Sequence, residues 1–157
     1  MKNIRFLRKL HSENKLDIVE PSSEICSDYI KKSSNSLKAA KILQEQNLLE
    51  EGVSMAYYSM YHTLTALFFK VGIKCENHAG AIILLKELFH VDNSVISFAK
   101  KERVDKQYYT DFRIKKDDVI QSIKSAEDFR IKIMNFIEQL KNEQISKFRT
   151  NIGNTII

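Results

Sequence analysis

The stretch LLEEGVSMAYYSMYHTLTALFFKVG, residues 48–72, constrains this chain more than any other. Val53, Tyr57, Met60, Leu64, Leu67, Phe68 and Val71 recur at three- and four-residue steps, the signature of one helical face. Tyr58, His62, Thr65 and Phe69 follow the same steps on an adjacent face. A helix apolar on so much of its circumference must be covered on most sides, so this is expected to be the central element. From about Leu49 to Val71 it would span roughly 35 Å. Gly72 is placed to end it, because glycine takes a left-handed cap without steric cost.

The rest of the sequence supplies covering helices. One proline and four glycines in 157 residues leave little material for turns. Good helix formers (Leu, Ile, Lys, Glu, Gln, Ala) are plentiful instead. A short helix fits near Ile4–Leu10. Pro21, Ser22 and Ser23 signal a start, and Ile25, Tyr29, Leu37, Ala40 and Leu43 carry a stripe to about Asn47. Asn77 is a plausible cap for a helix through Ile82, Leu85, Leu88 and Phe89. Asp92 or Ser94 starts a shorter one through Ile96 and Phe98 to about Glu102. Asp117 and Asp118 favour a last helix start by charge, and Val119, Ile123, Ala126, Ile133, Ile137 and Leu140 extend it to about Gln144. The expected fold is all-α, an antiparallel up-down bundle of four main helices with short accessory helices. No strand pattern is visible. The expected division is an extension over 1–21, the bundle over 22–145 and a loose tail over 146–157.

The net charge is +5, with both signs mixed along the chain. A local cationic excess gathers at Lys100, Lys101, Arg103, Lys106, Arg113, Lys115 and Lys116, against Glu102, Asp105 and Asp111. Such a run suits a solvated rim or a phosphate backbone. Cys26 and Cys75 are too few for a disulfide framework and are expected as reduced thiols. The basic N-terminus lacks the apolar core of a signal peptide, and the apolar stretch 56–73 is interrupted by polar residues. These features lead to the expectation of a cytoplasmic protein with no membrane partner.

Few motifs carry recognised chemistry. Cys75 and His78 form C-x-x-H without a second pair at zinc spacing, and no repeated E-x-x-H suits a di-iron bundle. No metal and no cofactor is expected. The glycines form no phosphate-cradling pattern. His62, inside the central helix, reads as a partly buried histidine bonded to a neighbour. His78 follows the cap Asn77, where free backbone N–H groups favour an anion, or packing beside the cap. Tyr57 and Tyr58 are expected on different sides of the helix, so that both would not line one pocket. The segment ERVDKQYYTDF, residues 102–112, fits neither the helical nor the strand period well.

AYYSMYHTLTALFFKVGI, then NHAGAI, a further helix, ERVDKQYYTDF and a final amphipathic helix together resemble the HEPN family. The likeness covers about residues 22–142. It is narrowest toward small prokaryotic members encoded beside a minimal nucleotidyltransferase. Tyr57-Tyr58, Gly72, His78, Arg103 and the tyrosine after it carry the resemblance. The family implies a homodimer and, in many members, a metal-independent ribonuclease with an R-x(4–6)-H motif meeting across the dimer. There the arginine stabilises the phosphate and the histidine assists the ribose 2′-hydroxyl. Here Tyr108, Tyr109 and Thr110 stand where that histidine would, and the last histidine in the chain is His90. In a related arrangement the partner enzyme nucleotidylates a tyrosine near the histidine; Tyr108 and Tyr109 are the candidates by proximity.

The resemblance and the missing histidine lead to one expectation with two rivals. The leading one is a nucleotide- or RNA-binding partner of a minimal nucleotidyltransferase, in a toxin–antitoxin-like module and without the usual ribonuclease activity. Arg103, Lys106, Tyr108 and Tyr109 would hold the ligand, with His78 at the rim. The first rival is a ribonuclease toxin that uses Arg103 with His78 or a tyrosine as catalytic groups. The second is a purely structural bundle in which Arg103 pairs with Glu102 or Asp105.

Overall fold

The computed structural model describes residues 2–108 and 113–157, and for residues 104–108 the backbone alone. Among these, seven helices run α1 (Ile4–Ser12), α2 (Ser23–Glu45), α3 (Leu49–Val71), α4 (His78–Glu87), α5 (Ser94–Tyr108), α6 (Lys116–Gln139) and α7 (Asn142–Ile156). None is long and apolar enough to cross a membrane. The architecture is a helical bundle, as the periodicity requires.

Helix α3 is its axis. It touches α2, α4, α5, α6 and α7, with α2 alongside it as the other arm of a hairpin. Tyr57, Leu64, Leu67 and Val71 have no exposed surface, and Val53, Met60 and Phe68 almost none. Each such burial contributes about 1.5–3 kcal/mol relative to exposure. The turn between α2 and α3 passes through Asn47 at φ 60°, a left-handed conformation that asparagine tolerates. The Ser22 hydroxyl accepts from the Ile25 N–H (3.1 Å) and starts α2. Asn77 does the same for α4, accepting from the Gly80 N–H at 2.8 Å.

A buried polar junction ties three helices together within this apolar packing. Arg130 of α6 donates through Nε to the Ser33 hydroxyl of α2 (2.6 Å). That hydroxyl in turn meets the Ser59 carbonyl (2.8 Å) and the Thr63 hydroxyl (2.6 Å) of α3. Ser33, Ser59 and Thr63 are fully buried, so their mutual bonds are what make those positions tolerable.

Four expectations change. A short antiparallel pair exists, β1 (Leu16–Ile18) with β2 (Ile73–Cys75), in the register Leu16 to Cys75 and Ile18 to Ile73. Three residues are too few to show alternation in a sequence. Helix α5 does not stop near Glu102 but continues to Tyr108, since lysine, arginine, glutamate and glutamine sustain a helix without an apolar face. Helix α6 ends at Gln139, short of Gln144, because Leu140 turns extended (ψ 124°). The expected loose tail is helix α7, whose Ile152 and Ile156 are buried and whose Phe148 ring lies 4.8 Å from that of Phe89. Helix α7 packs on α1, so the two ends of the chain meet.

Helix α7 also covers the C-terminus of α3. Gly72 has φ 86°, and its N–H closes the helix onto the Phe68 carbonyl (2.9 Å). Arg149 of α7 donates through Nη1 to the carbonyls of Val19, Val71 (3.3 Å) and Gly72 (3.1 Å). A cationic donor there satisfies carbonyls a helix end leaves unpaired and opposes the negative end of its dipole. A Cβ on Gly72 would fall 1.9 Å from Arg149 Nη1 and 2.5 Å from the Val19 carbonyl oxygen. Gly72→Ala is therefore expected to destabilise the protein by about 2 kcal/mol or more. Arg149→Ala should cost about 1–3 kcal/mol. Both are read as lowered midpoints in urea unfolding followed by circular dichroism.

Candidate functional site

The site forms where α3, the first turn of α4 and α5 converge. After Gly72 reverses the chain, β2 returns alongside α3 and delivers His78 as the first residue of α4. The His78 ring stacks on Tyr61 with centroids 3.8 Å apart and planes within 10°. Its Nδ1 lies 2.7 Å from the Tyr57 hydroxyl. From α5, the Arg103 guanidinium carbon stands 5.6 Å from the Tyr57 ring centroid and 5.0 Å from that of Tyr58, both within cation–π range.

The expectation that Tyr57 and Tyr58 would not share one site is thus corrected. Tyr57 is wholly buried and Tyr58 half-buried, yet both rings face Arg103, and both lie about 6 Å from His78. Adjacent helical residues diverge at their Cβ atoms, but a tyrosine is long enough to bend back to a shared neighbour.

Protonation follows from burial. The Tyr57 phenol is held well above its ordinary range, chiefly by desolvation and then by neighbouring Tyr61, and stays protonated. Its one hydrogen-bond partner among the described residues is His78 Nδ1, so a buried hydroxyl hydrogen is satisfied only if Tyr57 donates. Nδ1 is then the acceptor, and the neutral ring carries its proton on Nε2. Burial also lowers the His78 pKa, reinforced by the charges of Arg103 and Lys100 and by His62. In the tautomer in which Tyr57 donates, His78 is a neutral donor through Nε2 with its Nδ1 engaged. Tyr61 is pushed up to about 12, mainly by burial, and its hydroxyl donates to the Cys75 carbonyl (3.5 Å).

Two nitrogens stand out. Among the described residues, Arg103 Nε and His62 Nδ1 are buried and have no hydrogen-bond partner. His62 was expected to be bonded to a neighbour. Instead its ring packs among Tyr29, Tyr58 and Tyr61, and burial followed by the Lys32 charge lowers its pKa.

Other sequence candidates fall differently. Lys106 and Tyr108 belong to the last turns of α5, where only the backbone is described, as is the case for Asp105. Tyr109 lies outside the described residues. The C-x-x-H pair is divided: Cys75 is buried, its thiol pushed up to about 11, and donates to the Asn77 carbonyl (3.4 Å), while His78 turns to Tyr57. Among the described residues no cluster of three histidines, cysteines or carboxylates is placed to hold a metal. Glu102 accepts from the Ser122 hydroxyl of α6 at 3.2 Å. Tyr61 is the participant that sequence reasoning passed over, although its four-residue step from Tyr57 was a usable signal.

The model of the HEPN domain matches residues 26–140, well over half of the chain. This chain belongs to the HEPN family. The HEPN match begins inside α2 and stops at the break after α6, so α1, β1 and α7 lie beyond it. A UPF0332 protein of Pyrococcus horikoshii is 35% identical over 85 residues, which cover 54% of this chain and 56% of that protein. A protein of Methanocaldococcus jannaschii named as a candidate toxin is 33% identical over 73 residues, 46% of this chain and 54% of its own length. A UPF0332 protein of Gloeobacter violaceus is 32% identical over 57 residues, 36% of this chain and 45% of that one. The chain thus spans about half the length of the curated relatives it matches.

The two histidines are expected to make this HEPN bundle sensitive to acid. Unfolded, each binds a proton near pH 6.5; folded, each does so only at lower pH. The unfolded state therefore holds more protons between the two values, and stability is expected to fall as pH drops below about 6.5. Above that pH their contribution is constant. Thermal unfolding from pH 8 to 5 measures this, and a His62→Gln, His78→Asn double variant should flatten the slope in that window.

Proposed function

We propose that this HEPN bundle binds a nucleotide or RNA phosphate at the Arg103–His78 site, as one half of a toxin–antitoxin-like pair. The observation that carries this reading is the Tyr57–His78 hydrogen bond beside Arg103. It sets a cation next to a neutral imidazole donor, and both complement a phosphate oxygen. The buried Arg103 Nε without a described partner supports the same reading. The candidate-toxin name of the archaeal relative supports the context, as does membership of the HEPN family.

Within this reading the protein works as a homodimer with a minimal nucleotidyltransferase as partner. Tyr108 and Tyr109 are the proposed acceptors of a transferred nucleotide, and Lys106 adds charge beside them. Isothermal titration with AMP and with a short RNA is expected to show binding, which Arg103→Ala weakens about 10- to 100-fold. No binding of either would end the proposal.

One observation favours a second reading, a ribonuclease: Arg103 and His78, far apart in sequence, meet the same two tyrosines. The hydrogen bond argues against it, because in the tautomer in which Tyr57 donates the basic nitrogen, Nδ1, is engaged by that hydroxyl and Nε2 already carries a proton. The wild-type protein is expected to leave RNA intact. Cleavage by the wild type that is lost in Arg103→Ala would establish the second reading.

A further inference from the structure

A line of rings leads away from the Arg103–His78 site along the outer face of α3. The His78 ring lies 6.3 Å from Tyr58, Tyr58 6.1 Å from His62, and His62 5.9 Å from Tyr29 of α2. Tyr29 then stacks on Phe69 at 5.6 Å, with planes within 8°. All of these residues are half-buried rather than sealed in the core. Tyr58, His62 and Phe69 share the face that also carries Thr65. From residue 58 to 69 that face runs about 16 Å.

Charge accompanies the rings. Lys32 Nζ stands 5.0 Å over the Tyr29 ring at one end, as Arg103 does over Tyr58 at the other. The charges acting on His62 and His78 come from Lys32, Lys100 and Arg103, while Glu76 acts on Tyr61 beside His78. The two buried nitrogens without described partners, on His62 and Arg103, lie on this same line.

We propose that this band, Tyr58, His62 and Phe69 of α3 with Tyr29 and Lys32 of α2, is a track for single-stranded nucleic acid continuing from the phosphate held at Arg103. The proposal rests on the phosphate-binding reading above and extends it from a single phosphate to a strand. Aromatic faces interleaved with cations are what a flexible strand needs, since every base has a π-face and every linkage a negative charge. The band's length accommodates on the order of three to five nucleotides.

Fluorescence anisotropy on the full chain tests this with AMP, a labelled eight-nucleotide RNA and the same sequence as DNA. The RNA is expected to bind at least about 10-fold more tightly than AMP. Tyr29→Ala should weaken the octanucleotide about 5- to 100-fold and leave AMP unchanged. Lys32→Gln, at an exposed position that tolerates substitution, should reduce the salt slope of octanucleotide binding by about 0.7. Equal affinity for RNA and DNA supports reading by stacking and charge; tighter RNA supports an added contact to the 2′-hydroxyl. If AMP binds through Arg103 but both α2 variants leave the octanucleotide unaffected, the track is wrong and the phosphate site stands. If neither ligand binds, both fall. If Tyr29→Ala and Lys32→Gln instead turn a dimer into a monomer in sedimentation, the band is a protein interface and the proposal is overturned.

Discussion

Helix α3 is apolar around most of its circumference, and the fold is largely the solution to that constraint. A helix with one apolar stripe needs a single neighbour, whereas this one is met by five helices and a strand. The short turn through Asn47 holds α2 against it. Its far end needs a different solution, because a helix terminus cannot be buried with its carbonyls unpaired. Gly72 and Arg149, 77 residues apart, provide that solution, one by allowing the left-handed turn and the other by donating to the exposed carbonyls. The HEPN match stops before α7, so this chain closes its central helix with an element outside the matched domain.

The same constraint builds the site. Because Gly72 folds β2 back along α3, the first turn of α4 lies beside the middle of α3. His78 is thereby laid on Tyr57 and Tyr61. Arg103 approaches from α5, which lies against both α3 and α6. The three contributing helices are successive in the chain, brought together by the reversal at Gly72 and by the crossing of α5. The site is thus a consequence of how α3 is covered, and any change that shifts its C-terminal end also shifts His78.

The end of the central helix was legible to the residue, since Val71 closes the periodic face and Gly72 is the residue type that suits the cap, while its start near Leu49 was legible only approximately. The caps Ser22 and Asn77 were legible for the same local reason. Helix α7 was hidden although Ile145, Phe148, Ile152 and Ile156 carry its stripe, because polar neighbours and Gly153 disguise it. The β1–β2 pair has no signature at three residues a strand. At the site, Arg103 and His78 could be singled out one by one, but their convergence depends on a chain reversal and a helix crossing. Tyr57 and Tyr58 misled for a geometric reason: helical spacing fixes where Cβ points, and a ring some 6 Å long can still turn toward a common neighbour.

The place of the Tyr57 hydroxyl decides what the missing histidine means. Without one after Arg103, His78 is the only histidine that the fold brings to the arginine among the described residues. A free imidazole there would be a fair base near neutral pH. Tyr57 removes that option by occupying Nδ1, and burial with the nearby cations keeps the ring from gaining a second proton. What remains is an uncharged donor next to a fixed cation. In the proposed reading that combination would hold a phosphate in its ground state without offering a path for a proton, which suits holding a strand rather than cutting it. The half-exposed rings that continue from Tyr58 toward Phe69 agree with that chemistry, because retention of a strand gains from every further base that stacks, whereas cleavage needs only one phosphate.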